Sequence, residues 1–193
     1  MFRNIFLIAL ISFASFLTIN IQAFNKPVAV ENFSLKDYNG EVHSLADYST
    51  STAIVVMFIA TRCPVSNDYN SRMEQIYSDY KDKGIVFLGI NSNKQEDAEE
   101  VKNHAEENGL NFTILKDPGN IVADKFEASV TPEIFVISNS MEVLYHGRID
   151  DSRRESEVET NDLRIALNEV LEGKTPANAE TKAFGCSIKR IEK

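Results

Sequence analysis

Continuous apolar stretches alternate along the chain with apolar positions spaced as on one side of a helix. Residues 52–60 and 85–91 are uninterrupted apolar runs rich in β-branched side chains, which is typical of strands buried on both faces of a sheet. Between them, residues 64–83 carry Met73, Ile76 and Tyr80 at helical spacing. The same signals predict helices over 95–107, 121–128 and 160–172, a strand over 111–115, and a hairpin of strands 133–137 and 143–148.

An additional hairpin is predicted ahead of these elements. Residues 28–37 alternate loosely between apolar and polar, and a turn at Asn39-Gly40 returns the chain over 41–44. Strands that alternate with helices imply a central sheet covered on both faces, and the late hairpin adds an antiparallel edge. The pattern therefore predicts an α/β fold: a central mixed sheet with helices on both faces and a small N-terminal hairpin. This order is compatible with a thioredoxin-like fold that carries an inserted strand and helix.

The first 23 residues have the pattern of an export signal. Arg3 precedes an apolar run over 5–19, which is shorter than the ~20 residues that a membrane-spanning helix needs. Cleavage after Ala23 is expected to leave a domain over 24–173 and a polar tail over 174–193 that carries the second cysteine. An uncleaved N-terminal anchor is the alternative. In either case the protein is expected outside the cytoplasm, in a periplasmic or extracellular location where disulfides are permitted.

The composition of the 193-residue chain is that of a globular domain, with 43% hydrophobic and 25% charged residues. It excludes a wholly disordered chain and a multi-pass membrane protein. A formal net charge of −9 without a basic patch argues against a nucleic-acid partner. The three histidines have no metal-ligand spacing, so neither a metal nor another cofactor is predicted. The acidic run over 96–100 is interpreted as a solvated face of a helix.

Cys63 and Cys186 are the two cysteines, and they can form one disulfide, act as a reactive thiol and its resolving partner, or be two unreactive thiols. Cys63 stands where the strand over 52–60 runs into a helix. Pro64 suits the first helical position, which places Cys63 near the N-cap, where free N–H groups and the helix dipole lower the pKa of a thiol. Arg62 lowers this pKa further if it points the same way. We therefore predict that Cys63 is a nucleophile rather than a buried structural cysteine.

Ser66 occupies the position at which a Cys-x-x-Cys motif has its second cysteine. It either donates a hydrogen bond to the Cys63 thiolate or is an ordinary polar residue of the first helical turn. Disulfide chemistry at Cys63 then requires Cys186 or a thiol of another molecule, although the same pair can equally be a structural staple of the tail. Thr131-Pro132 opens a strand, and its peptide bond is either cis, beside a site for an incoming backbone, or trans at an ordinary edge strand.

Several short segments in a fixed order carry a family resemblance from about residue 28 to residue 190. They are 55–59, Cys63-Pro64, Tyr69, Arg72, 90–93, Thr131-Pro132, 147–151, 162–164 and 185–189. In this order they resemble the thioredoxin-like superfamily, and within it the peroxiredoxin-like redoxin branch of the alkyl hydroperoxide reductase/thiol-specific antioxidant grouping. The resemblance implies a thioredoxin fold in which Thr131-Pro132 is the cis-proline loop beside the active cysteine.

The resemblance also bears on the activity. Peroxiredoxins carry a Pro-x-x-x-Thr-x-x-Cys motif, but here Val56 and Ala60 stand at the proline and threonine positions, and Thr61 is one residue too close to Cys63. This departure disfavours peroxide reduction. Cys63 instead matches the first cysteine of a thioredoxin motif, which attacks disulfides.

The sequence thus predicts an exported thiol–disulfide oxidoreductase with Cys63 as nucleophile and Cys186 as resolving cysteine. Five residues are expected to support the site: Arg62, Pro64, Ser66, Thr131 and Pro132. The expected partners are a disulfide-bearing protein, or a small thiol or peroxide substrate, together with a thiol reductant. The alternatives are a thiol-dependent peroxidase and a redox-inactive binding module whose disulfide pins the tail.

Overall fold

The computed structural model describes residues 29–192, and the predicted export signal over 1–23 lies outside them. The described chain contains the strands β1 (Ser34–Asp37), β2 (Val42–Ser44), β3 (Ala53–Phe58), β4 (Ile85–Asn91), β5 (Thr113–Lys116), β6 (Val130–Thr131), β7 (Glu133–Ser138), β8 (Val143–Gly147) and β9 (Cys186–Ser187). One mixed sheet has the order β2-β1-β5-β4-β3-β7-β8, and β6 pairs with β9 in a separate two-stranded ladder.

The α-helices of the described residues lie between these strands. They are α1 (Pro64–Asp68), α2 (Asn70–Tyr80), α3 (Ala98–Asn108), α4 (Ile121–Lys125) and α5 (Asp162–Leu171), and short 3-10 turns occur at Leu45–Tyr48, Lys81–Lys83 and Glu155–Glu157. Among residues 29–192, none of the helices combines the length and the apolar character needed to span a bilayer.

Strand β3 lies inside the sheet because every one of its residues is apolar and buried. It runs parallel to β4, with Phe58 opposite Ile90, and antiparallel to β7, with Val56 opposite Phe135. Its alternate side chains enter two apolar clusters, one with residues of α2, α3 and α5 and the other with residues of α4. The predicted mixed sheet, the helices on both faces and the N-terminal hairpin are confirmed.

Tyr69 divides the predicted helix over 64–83 into α1 and α2. Its N–H donates to the Ser66 carbonyl oxygen at 3.0 Å, a bond that closes α1 early. Its ring is buried, and its hydroxyl donates to Asp150 Oδ1 at 3.0 Å and to the Ser152 carbonyl oxygen at 2.8 Å. These acceptors lie far along the chain, so no local pattern predicts the break.

Two element boundaries also differ from the prediction. Strand β1 begins at Ser34 rather than near residue 28, since Ala29 makes only an isolated bridge with the β7–β8 turn. Helix α3 begins after residue 97 because the Asp97 carboxylate caps it, accepting the Glu100 N–H at 2.8 Å.

The segment predicted as a polar tail is bound to the domain along its length. We call residues 179–191 the strap. Near its start, the Thr181 N–H donates to the His146 carbonyl oxygen of β8 at 2.9 Å. Near its end, the Lys189 N–H donates to Asn93 Oδ1 at 2.7 Å. Between these two anchors, β9 pairs with β6, so the strap crosses the end of the sheet at which β3 meets α1.

Candidate active site

Cys63 lies at the carboxyl end of β3 and is the N-cap of α1, with extended backbone angles of φ −86° and ψ 113°. Pro64 occupies the first helical turn, where it has no N–H to leave unpaired. The Ser66 N–H donates to Cys63 Sγ at 3.3 Å, as an N-cap side chain accepts from the first turn. The predicted position of Cys63 at the N-cap is therefore confirmed. The residue is nevertheless buried, with 4% of its surface exposed.

The strap brings Cys186 to the same place. In the β6–β9 ladder Cys186 lies opposite Thr131, and the Thr131–Pro132 peptide bond is cis, one of the two forms the sequence left open. The Cys63 thiol donates to the Thr131 carbonyl oxygen at 3.4 Å. The two thiols are close enough for each to shift the pKa of the other, and both cysteines are free. Two cysteines that are distant in sequence thus share one site.

The environment shifts the pKa values of the two thiols in opposite directions. Burial raises the pKa of Cys63, but hydrogen bonds from the Cys186 and Thr131 side chains and from the Ser66 N–H outweigh it, so the pKa is lowered. Burial and the Cys63 sulfur raise the pKa of Cys186, against a hydrogen bond from the Val65 N–H. The pair therefore loses its first proton to leave the charge on Cys63. A thiolate is the attacking form of a cysteine, and the shifts favour the thiolate at Cys63 over that at Cys186.

Two hydroxyl groups at the site have different roles. Thr131 Oγ1 is buried and makes no hydrogen bond of good geometry among residues 29–192, although the Thr131 side chain lowers the pKa of Cys63. The Ser66 hydroxyl instead accepts the Ala60 N–H at 3.2 Å and links the end of β3 to α1. Ser66 therefore acts on the thiol through its backbone N–H and not through its hydroxyl.

The structure corrects the expectation that Arg62 favours the thiolate. The Arg62 side chain is 60% exposed, and its guanidinium binds Glu100 of α3 through two hydrogen bonds, at 2.8 and 2.5 Å. These bonds lower the pKa of Glu100 to about 2. The bidentate contact between the guanidinium and the Glu100 carboxylate holds the Arg62 side chain against α3 instead.

The interpretation of the acidic run as a solvated face is wrong for Glu96, which is 2% exposed. Its carboxylate accepts the N–H groups of Thr61 and Arg62, at 2.9 and 3.1 Å, and side-chain N–H groups of Asn91 and Asn93. Glu96 therefore fixes the backbone that leads into Cys63. The asparagines at the end of the strand over 85–91 were the available signal, since buried amides require an acceptor.

Arg153 brings positive charge to the thiols, which sequence reasoning missed. Its side chain is 51% exposed and pairs with Asp68 of α1. Asp68 raises the pKa of Arg153, and the charges of Cys186 and Cys63 raise it further. Arg153 follows β8 in the chain, so nothing in the local sequence connects it with Cys63.

A buried ion pair holds the loop that carries Arg153. Arg72 Nη1 lies 2.6 Å from Asp150 Oδ2, and both side chains are buried. The same guanidinium donates to the carbonyl oxygens of Ser152 and Arg153, at 2.9 and 2.7 Å, and lies 3.6 Å from the centre of the Tyr69 ring. Removing one partner of a buried pair leaves an uncompensated charge, so this contact keeps the loop beside α1.

Possible metal ligands come together at the β1–β2 hairpin, where atoms of Asp37, Glu41 and His43 lie within 4.8 Å of one another. Asp37 Oδ1 already accepts the N–H groups of Asn39 and Glu41, both at 2.9 Å, and so closes the hairpin turn. Strands β5 and β4 separate this hairpin from β3. The cluster is therefore not part of the site formed by the two cysteines.

The sheet order, the N-cap cysteine and the cis-proline loop beside it define a protein of the thioredoxin-like class. The sequence model of the AhpC/TSA family matches residues 28–146, more than half of the chain. The chain belongs to the AhpC/TSA family, and the predicted resemblance is confirmed.

Similarities to individual known proteins are consistent with this family assignment. Over 113 residues the chain is 28% identical to the thiol-disulfide oxidoreductase ResA of Halalkalibacterium halodurans, which covers 58% of this chain and 62% of that protein. A hypothetical protein from Sinorhizobium meliloti 1021 has a solved structure with a TM-score of 0.80 and 30% identity, covering 86% of this chain and 95% of that one. The thioredoxin domain of a Bacteroides vulgatus thiol-disulfide oxidoreductase has a TM-score of 0.54 at 18% identity, covering 61% and 81% of the two chains. This last likeness confirms the thioredoxin-like fold.

Proposed function

We propose that the protein is an exported thiol–disulfide oxidoreductase in which Cys63 is the nucleophile and Cys186 the resolving cysteine. The observation that carries the proposal is that both cysteines meet at Thr131 beside the start of α1: Cys186 lies opposite Thr131 in the β6–β9 ladder, and the Cys63 thiol donates to the Thr131 carbonyl oxygen at 3.4 Å. The opposite pKa shifts of the two thiols support it. The name of the similar ResA protein, a thiol-disulfide oxidoreductase, supports it.

The reaction needs two exchanges. The Cys63 thiolate attacks one sulfur of a substrate disulfide, the substrate S–S bond breaks, and the departing sulfur leaves as a thiolate. Cys186 then loses its proton and attacks the Cys63 sulfur of the mixed disulfide. A Cys63–Cys186 disulfide forms, and the second substrate thiolate departs. A thiol reductant regenerates the pair, and the substrate is a disulfide-bearing protein or a small disulfide.

Export rests on the pattern of residues 1–23. The mature protein would then consist of a thioredoxin-like domain over 24–173 and the C-terminal segment over 174–193 in the periplasm or outside the cell. A fusion of residues 1–23 to a reporter that is active only after export tests this part. Retention of the reporter in the cytoplasm would contradict it.

Single cysteine variants test the assignment of roles. Cys63→Ser is expected to abolish both mixed-disulfide formation and turnover. Cys186→Ser is expected to leave the first exchange intact and to accumulate a mixed disulfide on Cys63, seen by mass spectrometry of the unreduced protein. Unchanged turnover in Cys186→Ser would show that Cys186 is not the resolving cysteine.

The second candidate is a thiol-dependent peroxidase, which membership of the AhpC/TSA family favours. The site lacks the hydroxyl at the threonine position of peroxiredoxins, because Ala60 stands there and the neighbouring Thr61 hydroxyl donates to Glu100. Stopped-flow oxidation by hydrogen peroxide decides between the two functions. A rate constant for Cys63 no greater than that of free cysteine excludes the peroxidase.

A redox-inactive module with a structural disulfide is the third candidate, and it predicts a different redox behaviour. Structural disulfides have reduction potentials below about −300 mV. A potential in that range for the Cys63–Cys186 couple, together with unchanged function in reductant, would favour this candidate. The lowered pKa of Cys63 favours the oxidoreductase instead.

A further inference from the structure

Glu133 is a buried carboxylate that takes no part in either exchange of thiols. It follows the cis-proline directly and opens β7. Burial raises the pKa of this carboxyl group, but hydrogen bonds from the His146 ring and from the N–H groups of Ser129 and Val130 outweigh it, so the pKa is lowered. A buried charge needs partners, and the partners of Glu133 show what it holds in place.

One oxygen of Glu133 holds the backbone that enters β6. Oε2 accepts the N–H groups of Ser129 and Val130, at 2.7 and 3.1 Å. Strand β6 in turn pairs with β9, the strand of the strap that contains Cys186. The carboxylate therefore fixes the strand against which Cys186 is placed.

The other oxygen of Glu133 contacts β8. Oε1 lies 2.7 Å from His146 Nε2, and the His146 ring stacks on the ring of Phe135, with ring centres 4.3 Å apart. The backbone of His146 holds the start of the strap. Its N–H donates to the Ala179 carbonyl oxygen, and its carbonyl oxygen accepts the Thr181 N–H, both at 2.9 Å. His146 thus joins Glu133 to the strap upstream of Cys186.

The two contacts of Glu133 bear on Cys186 more than on Cys63. Strand β6 is the ladder partner of Cys186, and β8 anchors the strap ahead of it. Cys63 has a support of its own at the start of α1, where the Ser66 N–H donates to its sulfur at 3.3 Å. A displacement of a reacting group by about 1 Å can slow a reaction by about a hundredfold. Loosening of β6 and β8 should therefore slow the exchange in which Cys186 attacks.

We propose that Glu133 is a positioning residue for the resolving step, and that it holds β6 and β8 in the arrangement that brings Cys186 to the mixed disulfide on Cys63. It acts through the backbone of β6 and through His146. The proposal rests on the proposed function, because the placement of Cys186 affects turnover only if Cys186 resolves the mixed disulfide.

The aromatic disulfide dithiobis(nitrobenzoate) separates the two exchanges in the full chain. The Cys63 thiolate attacks it, the S–S bond breaks, and one coloured thionitrobenzoate leaves in a phase whose rate rises with reagent concentration. Cys186 then loses its proton and attacks the Cys63 sulfur, and the second thionitrobenzoate leaves in a phase that is independent of that concentration. The reagent is reduced to two thiolates while the two cysteines are oxidised to one disulfide. Stopped-flow absorbance records both phases.

Glu133→Ala removes both contacts of the carboxylate. We expect the second phase to slow at least about tenfold, while the first phase is not slowed. Glu133→Gln keeps an oxygen for the two backbone N–H groups and should recover most of the lost rate. An unchanged second phase in Glu133→Ala would overturn the proposal.

Asp117→Ala is the matched control for the loss of a buried carboxylate. Asp117 is buried and accepts the N–H groups of Val122 and Ala123 in α4, at 3.1 and 3.0 Å. It follows β5, which β4 separates from β3. Both variants are expected to lose stability in urea, but only Glu133→Ala should slow the second phase. Equal slowing by the two would assign Glu133 a general structural role and would overturn the proposal.

His146→Phe tests the same idea if Glu133→Ala does not fold. It removes the contact with Glu133 Oε1 and keeps an aromatic ring beside Phe135, on a partly exposed side chain. A slower second phase with an unchanged first phase supports the proposal. A second phase as fast as in the wild-type chain contradicts it.

The wild-type trace separates failure of the positioning role from failure of the proposed function. If wild type and Glu133→Ala release both thionitrobenzoates at the same rates, the positioning role fails and Cys186 remains the resolving cysteine. If release from the wild type stops after the first thionitrobenzoate, or does not occur, the proposed function fails and the positioning role fails with it.

Discussion

The two thiols of the site are held by two different kinds of contact. The segment over 60–66 fixes Cys63 through its own neighbours: the Ser66 N–H donates to the sulfur, and the Ser66 hydroxyl binds the Ala60 N–H. The strap fixes Cys186 through residues far along the chain, with Thr131 opposite it in the β6–β9 ladder. The first arrangement is as rigid as the end of the sheet, whereas the second depends on one short ladder.

This difference matches what the proposed two-step exchange requires of a nucleophile and a resolving thiol. The nucleophile must keep its place while substrates arrive and leave. The resolving thiol must make way for the substrate and then return to attack the mixed disulfide. Local contacts suit the first task and a detachable segment suits the second, because moving the strap leaves β3 and α1 unchanged.

Gly185→Ala is expected to have the largest effect on the difference between the two thiols. It detaches the strap that holds Cys186 and leaves the segment over 60–66, which holds Cys63, untouched. The added methyl group overlaps the Thr131 carbonyl oxygen, so we expect a loss of about 1–3 kcal/mol in the free energy of unfolding. The pKa of Cys63 is expected to rise, since the two hydrogen bonds from Cys186 are lost. Urea denaturation and the pH dependence of alkylation measure the two effects.

Gly119→Ala is the matched control for that variant. The added Cβ there meets only the flexible side chain of Ile121, at 3.3 Å, and lies in the turn before α4. Gly119→Ala is expected to change the free energy of unfolding much less than Gly185→Ala does. It should leave the pH profile of Cys63 alkylation unchanged. Equal effects of the two substitutions would show that the strap is not seated as described.

The same division explains which parts of the molecule the sequence predicted. The buried strands, the N-cap position of Cys63 and the role of Pro64 each follow from adjacent residues, and all were confirmed. The contacts of Glu96 with the N–H groups of Thr61 and Arg62, and the position of Arg153 beside the thiols, were missed because they join residues that are distant in the chain. The pairing of distant backbone segments depends on the completed fold, and no periodicity in the sequence encodes it.

Arg62 shows the opposite error, in which proximity in sequence was mistaken for proximity in space. It precedes Cys63 directly, yet its side chain extends to Glu100 of α3. A neighbour in sequence is therefore not automatically a neighbour of the sulfur.

Thr131→Val is expected to have a smaller effect than Gly185→Ala. It should change the pKa of Cys63 but not the stability of the fold. It removes the hydroxyl that lowers the pKa of Cys63, so the pKa rises and the thiolate fraction at neutral pH falls. The free energy of unfolding should be unchanged, because this hydroxyl has no hydrogen-bond partner among residues 29–192 and replacing it leaves no group unpaired. The pH profile of alkylation is the measurement, with the urea midpoint measured in parallel.

Two variants complete the Thr131 test. Thr131→Ser keeps a hydroxyl and should restore the wild-type profile. Thr61→Val removes a hydroxyl that binds Glu100 instead of the sulfur, so it should leave the profile unchanged. A Thr131→Val protein with lower stability and an unaltered pH profile would assign the hydroxyl a structural role only.

Glu100→Gln is the smallest perturbation and tests the corrected role of Arg62. The pKa of Glu100 is lowered from 4.5 to about 2, first by the hydrogen bond from Arg62. A lowered folded-state pKa stabilises the fold above the unfolded value, and this contribution is lost as the pH falls through the folded one. The stability difference from wild type should therefore narrow as the pH falls from 4.5 toward about 2. At neutral pH it should be about 1 kcal/mol or less, because both side chains are partly exposed.

The decisive measurement on Glu100→Gln is the pH profile of Cys63 alkylation, and not the stability of the fold. If Arg62 serves only to anchor the loop to α3, the pH profile of Cys63 alkylation stays at its wild-type position once the ion pair is gone. If the released guanidinium turns to the sulfur, the profile moves to lower pH, since a nearby cation favours the thiolate. That shift would show that Glu100 holds Arg62 away from Cys63, and that α3, as well as the strap, controls the reactivity of the nucleophile.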